Sequence, residues 1–374
     1  MRAKILIYEC LYIGHHPSYL RICVEAFLEA NVAVILATPT LAIAQKHLGG
    51  RLTSQVEFEM VADLKDNSFI EDLISLARKH NPKNILILPF DEFISPILRR
   101  AFWGSYPSGS LNGLIAGIYF RPRCTDPHEK GIRNWVKKIG LKKLLRRGFF
   151  SKLFINDTKL LVKNTIGPRQ DFLDVFKSII DPWEKIFSYS KYDARNHWGI
   201  SNDKKVFLFY GTGAYRKGLT VALEAMEKCG DFENNHLLCV GAISPERKLK
   251  VKIEELVQAG RATLIDRYVD LREEGMAFSA CDFVLMPYIN HYGSSGVISK
   301  SAIHQRSVIC SDEGLLANLV KAHKIGVCFP TKDSTLLAKV MNSSRSEFSV
   351  GLVKYAELTD PLNFKRTLID NLLN

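Results

Sequence analysis

The sequence predicts an α/β protein built from two doubly wound parallel sheets, and three observations support that prediction. The chain has 374 residues, which is too long for one ordinary α/β domain and suits two domains with separate cores. Hydrophobic residues make up 47% and charged residues 24%, as in a folded globular protein. Short apolar runs alternate with helical patterns in both halves, and parallel strands need such crossover connections.

The first half begins with a β-α-β pattern and ends where Asp181 and Pro182 interrupt the alternation. An acidic segment, residues 89–92, follows one of the strands and is predicted as a loop. We place the first domain at residues 1–185. Its strands are predicted at 4–8, 32–38, 84–88 and 159–162, and its helices at 18–30, 69–80 and 171–180.

In the second half the alternation of strands and helices is regular. This pattern favours a second doubly wound sheet over residues 186–345. The remaining residues, 346–374, are predicted as a helical segment that packs back on the first domain. Strands are predicted at 206–210, 237–240, 262–265, 283–286 and 308–310, and helices at 194–198, 219–228, 246–259, 271–280 and 296–305.

The composition argues against a membrane-spanning or exported protein. No run of eighteen apolar residues occurs, and residues 1–10 lack the pattern of a signal peptide. The eight cysteines are scattered without a paired motif, which is typical of small buried side chains in a reducing compartment. We therefore expect a cytoplasmic protein.

The basic charge is concentrated in residues 121–152. This segment holds eleven Lys and Arg against two Asp and Glu, a surplus of nine in a chain whose net charge is +12. Apolar residues and cations are interleaved at near-helical spacing from Trp135 to Phe150, which suits an anionic membrane surface and a peripheral position on its inner face. A basic helix packed on its own domain is the alternative. Nucleic acid is not expected as a partner, because no nucleic-acid-binding motif accompanies the charge.

The first candidate anion site is the segment from Gly211 to Gly218. It follows a strand and precedes a helix, so backbone N–H groups lie near two cations, Arg216 and Lys217. An anion can be held at such a place. The alternative is an ordinary glycine turn with two solvated basic side chains.

A second candidate anion site precedes the helix predicted at 296–305. Two hydroxyl residues between glycines offer donors at the helix N-terminus, and a lysine lies one turn further on. The alternative is a simple N-cap. The residues concerned are Tyr292, Gly293, Ser294, Ser295, Gly296 and Lys300.

Residues 193–337 resemble the retaining family-4 type of GT-B glycosyltransferases, the glycosyl transferases group 1. Residues 206–218 (VFLFYGTGAYRKG) resemble that family's strand, glycine loop and Lys-Gly pair. Residues 280–287 (ACDFVLMP) and 307–312 (SVICSD) resemble two of its later strands. The resemblance implies two Rossmann-like domains that face each other across a cleft and a nucleotide-sugar donor bound by the second domain.

The resemblance also implies roles for single residues. Lys217 and the loop 293–296 match positions that bind the donor diphosphate and sugar, and Arg216 is expected to replace a family arginine that is missing here. Arg267 and Tyr268 fall where the family contacts the nucleobase and ribose.

The family's E-x7-E pair is absent, because Tyr292 and Lys300 stand at its two positions. A lysine donates hydrogen bonds where a glutamate would accept them from ribose, so Lys300 is expected on the diphosphate. Two interpretations remain: a divergent transferase, or a protein that keeps the fold with altered or no transferase activity.

In the first half the resemblance is loose and centres on the first strand and the Gly14 loop. His15 and His16, beside Gly14, are candidate sugar or phosphate contacts, although loop histidines can simply be solvated. Asp91 and Glu92 are candidates for orienting an acceptor hydroxyl, although a carboxylate there can also be a helix cap. We select His16 and Asp91 as the catalytic candidates.

The predicted activity is hexosyl transfer from a nucleotide-diphosphate sugar to an acceptor hydroxyl, retaining and independent of metal. No cofactor is expected beyond the sugar nucleotide, which is a co-substrate. The expected acceptor is a sugar or a lipid-linked or cell-surface polysaccharide precursor. The alternatives are a nucleotide- or sugar-binding protein without transferase activity, or a sugar-nucleotide epimerase. A dehydrogenase is disfavoured, because neither half has G-x-G-x-x-G with an acidic ribose partner.

Overall fold

The chain forms two compact units, each with one parallel sheet. The first unit comprises Met1–Ile180 and Pro361–Asn374, and the second comprises Asp181–Asp360. None of the helices in the described ranges combines the length and the apolar character needed to cross a bilayer. The computed structural model describes residues 2–373 except 15, 65–67, 105–108, 121–130, 157–173, 184–185, 214, 232, 244–246, 292 and 346.

The first unit is built on a seven-stranded sheet. Its strands are β1 Lys4–Tyr8, β2 Ala33–Thr38, β3 Val56–Met60, β4 Asn84–Ile87, β5 Ile115–Ile118, β6 Phe150–Ile155 and β7 Phe176–Ser178. All pair in parallel in the order β3-β2-β1-β4-β5-β6-β7. The central strands are continuous apolar runs because helices cover both faces of the sheet.

Helices connect these strands and bury an apolar stripe against the sheet. They are α1 His16–Glu29, α2 Leu41–Leu48, α3 Gly50–Thr53, α4 Phe69–His80, α5 Phe90–Trp103 and α6 Ile132–Arg146. The sequence of α4 favours a helix, because acidic residues occupy its first turn and basic residues its last turn, where they interact favourably with the helix dipole.

Two elements predicted from the sequence of the first half are wrong. The segment 89–92 is not a loop, because α5 begins at Phe90 and places Asp91 and Glu92 in its first turn. The helix predicted at 171–180 is absent from its described part, where Phe176–Ser178 forms edge strand β7 beside β6. The strand predicted at 159–162 lies outside the described residues.

The second unit is built on a six-stranded sheet. Its strands are β8 Lys205–Tyr210, β9 Asn235–Val240, β10 Ala262–Ile265, β11 Phe283–Met286, β12 Ser307–Ser311 and β13 Gly326–Phe329. All pair in parallel in the order β10-β9-β8-β11-β12-β13. This is the strand order of a doubly wound dinucleotide-binding sheet.

The helices of the second unit complete the alternation. They are α7 Lys191–His197, α8 Leu219–Lys228, α9 Arg247–Gln258, α10 Leu271–Ala280, α11 Gly296–Ile303, α12 Gly314–His323, α13 Ser334–Ser343 and α14 Ser349–Leu358. A single 3-10 turn, Tyr215–Lys217, precedes α8. Helix α14 packs on α11 and α12, so residues 347–360 lie with the second unit.

The last helix, α15 Pro361–Leu372, belongs to the first unit. It packs on α1, where the rings of Phe364 and Tyr19 lie 5.4 Å apart edge to face. Lys365 Nζ pairs with Glu29, at 2.7 Å, and with Glu25, at 3.2 Å, on α1. The chain therefore returns to the first unit for its final helix.

Candidate functional site

The second sheet reverses its strand order between β8 and β11, which lie side by side. Open parallel sheets bind ligands outside the carboxyl ends of the strands at such a switch point, because neighbouring connections diverge there and leave a crevice. The segments after β8 and β11 are the two candidate anion sites of the sequence. The fold thus places both predicted loops at one edge of one sheet.

The two loops are in direct contact. Ile289 donates its backbone N–H to the Arg216 carbonyl at 2.9 Å. Gly218 has φ of +72°, and a Cβ atom there would lie 1.8 Å from the Pro287 carbonyl oxygen. Only glycine permits this approach, so Gly218 allows the loop after β8 to close against the loop after β11.

Lys217 is held at the N-terminus of α11. Its Nζ donates to Tyr288 Oη at 2.8 Å, and that hydroxyl lies 3.3 Å from Ser295 Oγ, in the residue that precedes α11. Tyr288 and Ser295 are both buried. A buried tyrosine therefore holds the ammonium group near the N-terminal end of a helix. Both the ammonium group and this helix end are positive, which favours an anion.

Arg216 forms a second cationic contact with the same loop. Arg216 Nη1 donates to His291 Nδ1 at 2.8 Å, while His291 Nε2 lies 3.0 Å from the Ser294 carbonyl oxygen. Both bonds are satisfied by a neutral imidazole that accepts at Nδ1 and donates at Nε2. The network links the loop after β8 to the loop 293–296.

The simple N-cap alternative does not describe this loop. Ser295 occupies the N-cap position of α11, but its side chain makes no capping hydrogen bond. The hydroxyl of Ser294 donates to the carboxylate of Asp181. Neither serine caps α11, and Lys217 is linked to the start of this helix through Tyr288 and Ser295, which is an arrangement suited to an anion.

Lys300 has a different environment. Its Nζ pairs with Glu274 Oε2 at 2.6 Å, and the Tyr210 hydroxyl donates to the same carboxylate. Both side chains of the ion pair are largely buried, and they come from α10 and α11. Glu274 could not be found from the sequence, because nothing in a helical pattern marks which neighbouring helix a side chain meets.

The two residues predicted at the nucleobase lie after β10. Arg267 forms a bidentate ion pair with Glu273, which holds the pKa of that carboxyl below its usual range. Tyr268 is 81% exposed, so its ring face is open to stacking. Their role at a base remains a prediction.

In the first unit, Gly14 and His16 lie in the connection from β1 to α1. Gly14 has φ of +61°, and His16 is the first residue of α1. His16 Nδ1 lies 2.9 Å from Glu9 Oε2, a partner that the sequence did not indicate. Asp91 Oδ2 accepts a hydrogen bond of 3.0 Å from the backbone N–H of Phe120, which lies just after β5. His15 and Tyr292 lie outside the described residues.

One group of possible metal ligands occurs in the described residues, and it is remote from these loops in sequence. Glu57 and Glu59 on β3 approach His80 on α4. Lys79 Nζ binds Glu59 at 2.6 Å and His80 Nε2 binds the same oxygen at 2.6 Å, and these bonds lower the pKa of Glu59. The Glu59 carboxylate is already bound by the Lys79 ammonium group and by His80, so this cluster is a hydrogen-bonded network.

Comparison with known proteins supports the fold. Residues 190–346 match the family model for glycosyl transferases group 1. No curated protein matches the sequence.

Solved structures match nearly the whole chain, at low identity. Anabaena HepE in complex with UDP has a TM-score of 0.73 at 14% identity, with 100% of both chains covered. Sucrose-phosphate synthase from Thermosynechococcus elongatus has a TM-score of 0.67 at 17% identity, and the match covers 99% of this chain and 98% of the other. WaaG, a glycosyltransferase involved in lipopolysaccharide biosynthesis, has a TM-score of 0.66 at 15% identity, and the match covers 98% of each chain. The chain therefore has the GT-B fold, and its residues 190–346 are similar to the glycosyl transferases group 1 family.

Proposed function

We propose that this protein transfers a hexose from a nucleotide-diphosphate sugar to a hydroxyl group of an acceptor. The observation that supports this most is the position of Lys217, which Tyr288 and Ser295 hold at the N-terminus of α11. An ammonium group and helix N–H groups together bind a diphosphate and stabilise it as a leaving group. Arg216 supplies a second charge through the same loop.

A uridine diphosphate sugar is the first donor to test. Solved structures of Anabaena HepE contain UDP, UDP with glucose, or UDP-glucose, and they share the fold of this chain. Arg267 and Tyr268, after β10, are proposed contacts of the base and ribose. Lys217 and Arg216 would neutralise the diphosphate without a metal ion, and the resemblance to the retaining family favours retention at the anomeric carbon.

The acceptor is proposed to bind the first unit, near His16 and Asp91 at the carboxyl ends of β1 and β4. Polar side chains at the carboxyl ends of parallel strands are the usual place for substrate contacts in such sheets. His16 and Asp91 remain the proposed catalytic residues.

A binding experiment tests the donor proposal. UDP-, GDP-, ADP- and CDP-sugars are titrated by calorimetry into the wild type, Lys217→Ala and Lys252→Ala. Lys252 pairs with Glu227 on the surface of the same unit and is a matched control. We expect one nucleotide class to bind the wild type and the control, and Lys217→Ala to bind it at least about tenfold more weakly. Binding of no nucleotide by the wild type would contradict the proposal, and binding without sugar transfer would favour the non-catalytic alternative.

The surface of α6 supports the proposal that the acceptor is lipid-linked. Leu141, Leu144 and Leu145 are buried, and α6 lies so close to α5 that a Cβ at Gly140 would be 2.6 Å from the Leu98 carbonyl oxygen. The helix is thus packed on its domain, as one of the two alternatives requires. Its other side exposes cations together with Ile132, 79% exposed, and Trp135, 57% exposed, a combination suited to an anionic membrane surface.

Sedimentation with vesicles tests the membrane proposal. We compare phosphatidylcholine vesicles with and without phosphatidylserine, using the wild type and a variant with Arg133, Lys137, Lys142 and Arg146 changed to Gln. The control carries the same change at Lys250, Lys252, Lys321 and Lys339 of the second unit. We expect loss of anionic-vesicle binding only in the α6 variant. Equal sedimentation of all three proteins would refute the proposal.

A further inference from the structure

Glu9 is a carboxylate buried at the carboxyl end of the central strand β1. It follows Tyr8, the last residue of β1, and its exposed fraction is 0%. β1 lies between β2 and β4, at the reversal of strand order in the first sheet. A charged group at such a position is costly unless hydrogen-bond donors surround it.

Three donors meet this carboxylate. Oε1 accepts the backbone N–H groups of Cys10, at 2.9 Å, and Leu11, at 2.7 Å. Oε2 lies 2.9 Å from His16 Nδ1. An ionised carboxylate is only an acceptor, so Nδ1 of His16 bears the proton in this contact.

We propose that Glu9 is a positioning residue that fixes His16 in the Nδ1–H tautomer, so that Nε2 accepts a hydrogen bond from a hydroxyl group of the acceptor. In a neutral imidazole the nitrogen without the proton is the acceptor, and the partner of the other nitrogen decides which one that is. The side chain of His16 is 12% exposed, so part of the ring reaches the surface. This inference rests on the proposed glycosyl transfer.

The structure offers a substitution that separates this role from simple support of the loop. In Glu9→Gln the amide carbonyl can still accept the N–H groups of Cys10 and Leu11, which preserves the turn. The amide NH₂ would then face Nδ1 of His16 and donate to it. Nδ1 would become the acceptor and the proton would move to Nε2, which reverses the polarity of the group offered to a hydroxyl.

The first test does not depend on activity. The protein is labelled with ¹⁵N-histidine, and His16 is assigned from the signals lost in His16→Gln. We expect ¹⁵N shifts of the Nδ1–H tautomer in the wild type and of the Nε2–H tautomer in Glu9→Gln. An Nε2–H tautomer in the wild type, or the same tautomer in both proteins, would overturn the inference.

The second test is a double-mutant cycle on sugar transfer with the donor identified by calorimetry. We expect Glu9→Gln and His16→Gln each to lower kcat by about tenfold to a hundredfold with unchanged donor Kd. The double variant should be no slower than His16→Gln, because Glu9 acts through His16. Independent, multiplying losses would overturn the inference. If the wild type binds no nucleotide sugar, the proposed function fails while the tautomer measurement still decides the role of Glu9.

Discussion

Lys217 Nζ and Tyr288 Oη lie 2.8 Å apart, which joins a cation of the loop after β8 to a buried residue of the loop after β11. The same tyrosine contacts Ser295 at the start of α11. Neither loop alone fixes the ammonium group. The cationic site therefore depends on the packing of two segments that lie more than seventy residues apart in sequence.

Tyr288→Phe is expected to weaken donor binding severalfold, because the phenol no longer directs Lys217 and about 1 kcal/mol of hydrogen bonding is lost. The dissociation constant measured by calorimetry checks this. Tyr192→Phe, at a 63% exposed site on α7, is the control. An unchanged Kd in Tyr288→Phe would show that Lys217 does not need this partner.

Gly218→Ala is expected to destabilise the second unit and to abolish donor binding. The backbone at Gly218 is left-handed, which alone costs an alanine about 1 kcal/mol, and the methyl group would collide with the Pro287 carbonyl. Gly230→Ala is the matched control, since a Cβ there meets no atom within 4 Å. Urea unfolding and calorimetry give both quantities. Equal stability of the two variants would contradict the close approach of the loops.

Lys300→Ala is expected to lower the free energy of unfolding by about 1–3 kcal/mol, because Glu274 would be left largely buried without its cation. Adding Glu274→Ala should restore part of that loss. Lys252→Ala serves as the surface-pair control. Full stability of Lys300→Ala together with lost donor binding would instead assign Lys300 to the diphosphate.

Stability is expected to fall as the pH drops from about 6.5 to about 4. Burial lowers the pKa of His236 and of His304 from 6.5 to about 4. Between these values the unfolded chain binds protons that the folded chain does not, and above 6.5 neither state does. Each histidine therefore adds a slope of about 1.4 kcal/mol per pH unit within this window.

Urea unfolding at several pH values measures that slope. His236→Gln, which keeps a hydrogen-bonding group beside Thr263, should make it shallower. His197→Gln, at an exposed histidine of the same unit, is measured beside it as the surface control. An identical slope in His236→Gln would contradict a neutral buried histidine.

Periodicity predicted five of the six strands of the second sheet, because these strands alternate regularly with helices and are separated by glycine or polar turns; β13 was missed. Strand β3 was missed because its sequence VEFEM carries two glutamates on an edge strand, and β5 because a glycine interrupts the short apolar run IAGI. The start of α5 was interpreted as a loop because Pro89 occupies its N-cap, a position that interrupts an apolar pattern without excluding a helix.

The candidate site was only partly predictable. Lys217 and the loop 293–296 have local signatures, glycines and donors at helix starts, and sequence alone locates them. Tyr288, Glu274 and Glu9 act as partners of those side chains, and partnership depends on packing between elements. Glu9 in particular follows an apolar strand, where a single carboxylate predicts neither burial nor a histidine contact.

The position of helix α15 affects the order in which the two units can complete their folding during synthesis. Its buried residues Phe364, Leu368 and Leu372 belong to the core of the first unit, and Leu372 accepts a hydrogen bond from Asn84. The second unit is one uninterrupted stretch of chain. On the ribosome, the second unit has its complete sequence while the first still lacks a helix, so the half that begins synthesis first is the last to finish its core.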